Sequence, residues 1–284
     1  MHLNPKEEIT IIPEGNRQEN IDRFLGYQDT YDRFRPEAPP LVAELLCQYL
    51  GGRPAAVADV GCGTGLSTLI WGQAADRVTG VEPNPDMLSK AQEKLGRLPE
   101  GQATVSFIHG YSNQLPFASG ALDIITCSQS FHWMEPSSTL LEFARCLREG
   151  GLFAAYDCDW PPVVHPQVEA GYGRLIDNAD KLLHSLQPEK ERASKWNKEG
   201  HLAQIQKSGH FSFSREIVFH HTENCDAQRF IGLALSQGGL QTVLKLAPEQ
   251  LEQDIAEFAR TVEAYYAGRT LPMLLGYRMR IGVK

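Results

Sequence analysis

The sequence predicts a doubly wound α/β fold, and two observations support this. Short apolar runs between residues 55 and 156 alternate with segments of helical spacing. A glycine-rich segment, residues 61–65, lies between the first such run and the next helical segment. Strands that alternate with helices form a parallel sheet covered on both faces, and right-handed crossovers make that sheet doubly wound. A ligand site is then expected at the carboxyl ends of the strands.

The segments before this alternation have a different character. Residues 1–20 are polar and are expected to form a mobile arm. Residues 21–34 carry aromatic and aliphatic side chains at three- and four-residue steps, which predicts one helix. A second helix is predicted over residues 41–50 and ends at Gly51. We therefore assign residues 1–50 to an N-terminal arm and covering helices.

Each strand and helix of the core follows from its own pattern and ends. Asn84 followed by Pro85 is typical of a helix start. Gly150 and Gly151 stop the last helix of the core. The predicted strands are residues 55–60, 77–81, 103–108, 122–127 and 152–156. The predicted helices are residues 66–75, 85 to about 98, and 136–147.

After residue 156 the alternation stops. Residues 157–166 are predicted to form a loop, and residues 168–186 carry an apolar stripe at helical spacing. This block is too long for a plain crossover, so we interpret residues 160–210, which include a short helix from about residue 202, as a helical cap inserted after the fifth strand. Residues 211–284 then complete the sheet, with strands at 211–220 and 274–283 and helices at 230–235 and 248–266.

Composition limits the partners. The 284 residues are 42% hydrophobic and carry a formal net charge of -8, which disfavours broad binding to nucleic acid. The six cysteines show no metal-site or disulfide spacing, so reduced thiols in a cytoplasmic protein and no metal are expected. Neither a signal peptide nor a membrane span is apparent. The oligomeric state stays open.

The glycine-rich segment and the acid after the second strand carry the chemistry. Glycines let a backbone turn tightly and approach a ligand, and N–H groups at a helix N-terminus attract anions. Glu82 follows Gly61 by about 20 residues and could accept both hydroxyls of a ribose. A dinucleotide site requires the spacing GxGxxG, whereas residues 61–65 have GCGTG.

The run DVGCGTG at residues 59–65 resembles motif I of the class I S-adenosylmethionine-dependent methyltransferases. The stretches at residues 81–88, 115–127 and 147–151 resemble later sequence motifs of that family, and they occur in the same order. The segment SFHW at residues 130–133 is similar to the trans-aconitate methyltransferase-like branch, which also resembles quinone-biosynthesis C-methyltransferases. The resemblance implies a seven-stranded, Rossmann-like sheet with an antiparallel last strand, and S-adenosylmethionine bound by residues 51–159.

The resemblance also implies roles for individual residues. Asp59 is expected to order the glycine loop or to contact the methionine ammonium, and Glu82 to bind the ribose. The family often has an acid after the third strand, but here that stretch holds Ser112 and Asn113, which we expect to bind the adenine. The full set of expected cofactor contacts is Tyr31, Arg35, Asp59, Gly61, Cys62, Gly63, Gly65, Glu82, Pro83, Met87, Ser112, Asn113 and Gln129.

Expected catalytic residues lie after the fourth strand. Gln129 is expected beside the transferred methyl group, and His132 as a base or as a partner of the acceptor. His132, Trp133, Asp157 and Trp160 are expected to bind the acceptor. The predicted function is transfer of a methyl group from S-adenosylmethionine to an oxygen or carbon atom of a small molecule. The acceptor is expected to be a carboxylate or a phenol or quinone, and the product of the donor is S-adenosylhomocysteine. The alternatives are a non-catalytic S-adenosylmethionine-binding protein and an NAD(P)-dependent oxidoreductase.

Overall fold

The central feature of the computed structural model, which describes residues 12–96 and 103–284, is a seven-stranded sheet. Its strands are β1 (Ala56–Val60), β2 (Arg77–Glu82), β3 (Thr104–His109), β4 (Leu122–Ser128), β5 (Leu147–Cys158), β6 (Phe213–Cys225) and β7 (Leu271–Val283). The strand order is β3-β2-β1-β4-β5-β7-β6. Strands β1 to β5 run parallel, and β7 is antiparallel to both of its neighbours. The predicted mostly parallel sheet with an antiparallel last strand is confirmed.

Helices cover both faces of this sheet. They are α1 (Gln18–Asp22), α2 (Gln28–Phe34), α3 (Leu41–Leu50), α4 (Pro85–Leu95), α5 (Pro136–Cys146), α6 (Pro166–Leu186), α7 (His201–Lys207), α8 (Ala227–Leu235), α9 (Gly238–Leu246) and α10 (Glu252–Tyr266). The predicted start of α4 is correct, since the Asn84 side chain accepts the N–H of Met87 at 3.0 Å. None of the described helices is long and apolar enough to cross a bilayer.

The two faces of the sheet form separate cores because successive side chains of a strand point to opposite sides. Phe153 and Ala155 of β5 pack with Phe131 and Phe143 on the face that α5 covers. Tyr156 of β5 points to the opposite face, where α3 and α6 pack. Every residue of β1 is buried. Burial of each large side chain contributes about 1.5–3 kcal/mol, so these two layers hold β1, β4 and β5 rigidly at the centre of the sheet.

Two helix predictions are wrong. The predicted helix over residues 21–34 is two short helices, α1 and α2, because Gly26 between them has a φ of 74°. The predicted helix over residues 66–75 is only a 3-10 turn, Leu69–Trp71. There the hydroxyls of Ser67 and Thr68 donate to Asp59 beneath the loop, and such side-chain bonds compete with helix formation. The glycine loop therefore leads into an irregular turn, so the argument from a helix N-terminus does not apply there.

The cap after β5 is larger than the sequence predicted. Helix α6 is present, and it packs against α9 and α10, which lie between β6 and β7 in the chain. Helix α7 packs instead against β6 and β7, with Ile205 in the core on the α5 face. Helix α9 was not predicted. The end of the predicted helix 85–98, beyond Gly96, lies outside the described residues.

Candidate functional site

A central cleft lies at the carboxyl ends of β1, β2 and β4, as a doubly wound sheet predicts. Its empty volume is about 760 Å³, counted with the open mouth of the cleft. Its floor is the loop after β1, one wall follows β2 and α4, and the other follows β4. Residues of α1 and α2 close it from above. Nine of the residues predicted to bind cofactor or acceptor line this cleft: Tyr31, Gly61, Gly63, Glu82, Pro83, Met87, Ser112, Gln129 and Trp133.

The three glycines of the loop after β1 have different structural roles. A Cβ at Gly61 would lie 2.6 Å from the Cβ of Ser130, and one at Gly65 would lie 2.7 Å from the Phe107 ring. A Cβ at Gly63 would meet nothing nearer than Tyr31, at 4.0 Å, although its φ of 56° still favours glycine. Gly61 and Gly65 therefore allow close packing of the loop, whereas Gly63 exposes its backbone to the cleft.

Asp59 lies beneath this loop and is fully buried. Its carboxylate accepts the hydroxyls of Ser67 at 2.6 Å, Thr68 at 2.7 Å and Thr126 at 2.9 Å. Burial raises its pKa, and these hydroxyl donors oppose that rise. Of the two predicted roles, this geometry favours ordering of the glycine loop, because Asp59 does not line the cleft.

Glu82 ends β2 and presents its carboxylate to the cleft. Oε2 accepts the N–H of Gly63 at 2.8 Å and Oε1 accepts the N–H of Asn84 at 2.9 Å. Only 6% of the residue is exposed, and burial raises the pKa of Glu82 to about 7 despite these two donors. A carboxylate has about four acceptor sites, so the two backbone bonds leave room for two more donors. The residue is therefore suited to bind a pair of hydroxyls.

Gln129 follows β4 with strained backbone. Its φ is 51°, which is uncommon for a residue other than glycine. Its N–H donates to the carbonyl of Tyr156 at 2.9 Å, and its Oε1 accepts the indole N–H of Trp160 at 3.1 Å. Strain of this kind persists where the surrounding structure enforces it and is concentrated at functional sites. The strained turn places Gln129 on the wall of the cleft.

Residues before the first predicted helix close the cleft, which corrects the expected mobile arm for its described part. Residues 1–11 of that arm lie outside the described residues. The Asn16 side chain donates to the Asn113 side chain at 2.8 Å, and Asn113 donates to the carbonyl of Glu14 at 2.7 Å. The Asn20 side chain donates to the carbonyls of Trp133 at 3.0 Å and Ser194 at 2.9 Å. Asn113, predicted to bind adenine, thus fastens the N-terminal segment instead of lining the cleft.

Comparison with known proteins bears on the chemistry of this cleft. Residues 58–155 match the family model of a methyltransferase domain. The chain is 34% identical over 122 residues to an uncharacterised methyltransferase of Mycobacterium tuberculosis, which is 43% of this chain and 46% of the relative. It is 32% identical over 109 residues to a ubiquinone/menaquinone biosynthesis C-methyltransferase of Campylobacter jejuni, covering 36% and 43%. The matches thus span about half the length of these relatives.

The solved structures agree on the fold. A protein of Anaeromyxobacter dehalogenans assigned as a type II methyltransferase aligns with a TM-score of 0.65 at 21% identity, covering 88% of this chain and 98% of that one. Residues 58–155 of this chain are therefore similar to a methyltransferase domain. The predicted resemblance to the class I S-adenosylmethionine-dependent methyltransferases is confirmed for this core, and the family match disfavours the NAD(P)-dependent oxidoreductases.

Several residues predicted from the family pattern lie around the central cleft without lining it. Cys62 and Gly65 are on the side of the glycine loop that faces away from the cleft, where Cys62 packs near Gly80 and Gly65 near Phe107. Arg35 belongs to the cap, since its Nη2 donates to the carbonyl of Ser236 at 3.1 Å and to Oε1 of Gln237 at 2.9 Å. Those outside the lining are Arg35, Asp59, Cys62, Gly65, Asn113, His132, Asp157 and Trp160.

His132 and Asp157 lie together behind the cleft wall in a buried charge network. Nδ1 of His132 is 3.6 Å from Asp157, whose oxygens are also 2.8 Å from Lys198, 3.4 Å from His201 and 3.3 Å from Arg280. Burial would raise the pKa of Asp157, but the His201 ring and the Lys198 charge lower it below its usual value. Burial, then the Lys198 charge, lowers the pKa of His132 well below its usual value. The pair is thus a carboxylate and a neutral imidazole near pH 7.

Trp160 joins the core of the sheet to the cap. It stacks on Tyr172 of α6 with 6.4 Å between ring centroids, and the Arg35 guanidinium lies 4.7 Å from its ring centroid. Together with Asp157 it lines a second, polar cleft beside the central one. Among residues 12–96 and 103–284, no cluster of three or more His, Cys, Asp or Glu residues is arranged to hold a metal.

Sequence reasoning missed other residues of the central cleft. From the N-terminal segment these include Asn16, Arg17 and Asn20, and from β4 and its loop Ser128, Ser130 and Met134. The aromatic stripe that predicted a helix at residues 21–34 could have indicated Ile21 and Phe24, which also line the cleft. The polar residues of the N-terminal segment carry no such signal, because their partners are distant in the sequence.

Proposed function

We propose that this chain transfers a methyl group from S-adenosylmethionine to a small-molecule acceptor. The observation that carries the proposal is the Glu82 carboxylate, which is buried beside Gly63 in the cleft of a methyltransferase core. Its two free acceptor positions match the two hydroxyls of an adenosyl ribose. The net charge of -8 supports a small molecule rather than nucleic acid as the acceptor.

The other lining residues fit the remaining parts of the donor. Met87 and Pro83 supply an apolar wall for the adenine, and Ser112 lies on the same side. The Ser112 hydroxyl is paired with that of Thr139 at 2.8 Å, so we propose that adenine is held by packing and backbone groups rather than by an acid. Gly63 and Tyr31 would face the methionine portion, with Gln129 beside the methyl group.

When bound, the sulfonium donor supplies an activated methyl group for in-line displacement. The protein then needs mainly to align the acceptor and to exclude water. The N-terminal segment, which closes the cleft and is fastened to the cap through the bond from Asn20 to the Ser194 carbonyl, is placed to do both. A carboxylate acceptor needs no base, whereas a phenol or a carbon acid must lose a proton. The Campylobacter jejuni relative is named for quinone biosynthesis, which supports testing phenols and quinones as acceptors.

We propose His132 as the base for an acceptor that must lose a proton. Its ring lies behind the cleft wall, 4.7 Å from the ring of the lining residue Trp133, so the proton would reach it through one bridging water. Its neutral imidazole can accept a proton, and the nearby Asp157 carboxylate can stabilise the charged ring. The His132→Ala change should leave S-adenosylhomocysteine affinity nearly unchanged and reduce kcat by about 10²–10⁴-fold. Unchanged turnover of a phenolic acceptor would assign the histidine a purely structural role.

Two experiments test the proposal. Isothermal titration should show binding of S-adenosylmethionine and no binding of NAD at equal concentration. Formation of S-adenosylhomocysteine with a panel of carboxylates, phenols and quinones should identify the acceptor class. A protein that binds the donor but forms no product with any acceptor would favour a non-catalytic S-adenosylmethionine-binding protein. Failure to bind S-adenosylmethionine would contradict the proposed function outright.

A further inference from the structure

The cap contains a further cleft that has no part in the methyl transfer as proposed above. This cleft, here called the cap cleft, lies between the N-terminal segment, α6, the segment before α7 and the start of α9. Trp133 and Arg17 line both this cleft and the central cleft, so the two are neighbours with the Trp133 side chain between them. The charged Arg, Lys, Asp and Glu residues that line the cap cleft are Arg17, Arg23, Arg192, Lys195, Asp180 and Glu189.

Positive groups converge at the start of α9. The Arg23 guanidinium packs against its first residue, since a Cβ at Gly238 would lie 2.5 Å from Nη2 of Arg23. Arg35 reaches the same point from the other side through its bond to the Gln237 side chain, which is 2.9 Å long. Helix α9 has nine residues and no side-chain cap at its N-terminus. A helix N-terminus carries roughly half a positive charge, so three positive groups meet here. A negative group opposes them, since a Cβ at Gly239 would lie 3.0 Å from Oδ1 of Asp180.

The protein balances these charges only in part, through the carboxylate of Asp180. Nε of Arg23 and Nε of Arg35 are both buried, and neither has a hydrogen-bond partner in the described part of the chain. Within residues 12–96 and 103–284, no carboxylate oxygen lies within 4.0 Å of either guanidinium. Asp180 lines the cap cleft and offers only a longer-range attraction to Arg23. Buried donor groups without partners are costly, so this arrangement favours an anion from outside the chain.

Neighbouring groups show the same imbalance. Burial lowers the pKa of Arg23, and the charge of Arg35 lowers it further. Burial likewise lowers the pKa of Lys195, and the charge of Arg23 adds to that effect. Positive side chains therefore destabilise one another in the cap cleft. A bound anion would reverse the sign of that interaction and satisfy the free Nε–H of Arg23, which lines the cleft, with a charge-assisted hydrogen bond.

We propose that the cap cleft binds an anionic oxygen group, a carboxylate or a phosphate, carried by the methyl acceptor. The inference rests on the proposed methyl transfer and narrows its acceptor to anionic molecules. The Arg23 guanidinium lies 4.4 Å from the centroid of the Trp133 ring, and that ring borders the central cleft. An acceptor anchored at Arg23 and the start of α9 can therefore extend past Trp133 towards the donor. Uncharged phenols and quinones lack the group that this cleft selects.

The test is a titration of the full chain saturated with S-adenosylhomocysteine, at constant ionic strength. The probes are inorganic phosphate, glutarate and the uncharged diamide glutaramide. We expect at least one anion to bind and glutaramide not to bind. The Arg23→Gln change should weaken that anion's binding at least fivefold without changing S-adenosylhomocysteine affinity, and Arg23→Lys should restore part of it. Comparison of phosphate with glutarate shows which oxygen anion the cleft prefers.

Controls separate the possible failures. Arg33→Gln removes an equal charge from an exposed position of α2 and should leave anion binding unchanged. If Arg23→Gln does not fold, Lys195→Gln tests the same cleft from the cap side. Equal binding of glutarate and glutaramide, absence of anion binding, or anion binding insensitive to these changes would overturn the proposal. Failure of S-adenosylhomocysteine to bind would instead contradict the proposed function, and that titration is read separately.

Discussion

Glu82 shows how a single carboxyl group can make donor binding depend on pH. The fold buries it and holds it with two backbone N–H groups, and its pKa rises to about 7 because desolvation is the larger effect. Below that pH the group is protonated in the free protein and loses its charged acceptor positions. A ligand that needs the carboxylate must then bind more weakly as the pH falls.

We therefore expect S-adenosylhomocysteine affinity to increase from pH 6 to pH 8, with the bend near pH 7. The Glu82→Gln change should weaken binding at pH 8 by about 1–3 kcal/mol, since the charged acceptor is lost, and should flatten the pH dependence. Titration calorimetry at several pH values measures both effects. Glu44→Gln, at an exposed position of α3, is the matched control and should bind like wild type. Parallel pH profiles for wild type and Glu82→Gln would remove Glu82 from the donor site.

Asp59 marks the limit of what the sequence can tell about single residues. Its position before the glycines predicts a role at the loop, but it does not distinguish a loop anchor from a ligand contact. Two of its hydroxyl partners, Ser67 and Thr68, are local, whereas Thr126 comes from β4. Only the pairing of β1 with β4 brings this third donor into place. Local motifs were therefore sufficient to predict that Glu82 and Gly63 line the cleft. They were insufficient to predict which of its two expected roles Asp59 has.

At the scale of elements, one buried carboxylate connects three segments of the chain. Asp157 of β5 contacts Arg280 of β7, Lys198 of the segment before α7, and His132 after β4. The sequence predicted Asp157 in a loop that binds the acceptor. The structure places it within β5 because that strand extends to Cys158, beyond the predicted end at residue 156. Its surroundings favour a structural role that positions His132.

The Asp157→Asn change should lower the free energy of unfolding by about 3 kcal/mol, because Lys198 and Nη1 of Arg280 lose their buried partner. Arg280 keeps the carboxylate of Glu216 at 2.7 Å. Asp159→Asn is the matched control, since the Asp159 side chain is 53% exposed and, in the described part of the chain, its ion-pair partner is the exposed Arg278. That control should cost less than about 1 kcal/mol. Urea unfolding with unchanged m-values measures both effects. Equal losses in the two variants would mean that the network adds no stability.

The N-terminal segment is held shut mainly through Asn20. Its side chain donates to the carbonyls of Trp133 and Ser194 and accepts the N–H of Ser194 at 2.8 Å. Asn20→Ala should weaken closure by about 1–3 kcal/mol and speed S-adenosylhomocysteine release by on the order of tenfold or more. Stopped-flow displacement measures the rate. Gln18→Ala, an exposed change on the same helix, should release at the wild-type rate, and a matching rate for Asn20→Ala would show that this contact does not control release.

At the scale of the whole molecule, the sheet was predictable and the cap only partly so. Alternating strands and helices in residues 55–156 determine the parallel part of the sheet, since connection rules leave few topologies. The cap combines α6 with α9 and α10, which are separated from it by β6, so no local pattern reveals their packing. The predicted helix over residues 66–75 was wrong because the hydroxyls of Ser67 and Thr68 donate hydrogen bonds to Asp59, which compete with helix formation.

The central claim is that the cleft between Glu82 and the glycine loop holds S-adenosylmethionine. The most direct test is a crystal structure of the full chain grown with S-adenosylhomocysteine. Both ribose hydroxyls should lie within hydrogen-bond distance of the Glu82 carboxylate, with the adenine against Met87 and the sulfur near Gln129. A nucleoside bound at full occupancy outside this cleft would contradict the claim. So would a central cleft filled by side chains of the N-terminal segment while the nucleoside is bound at another site.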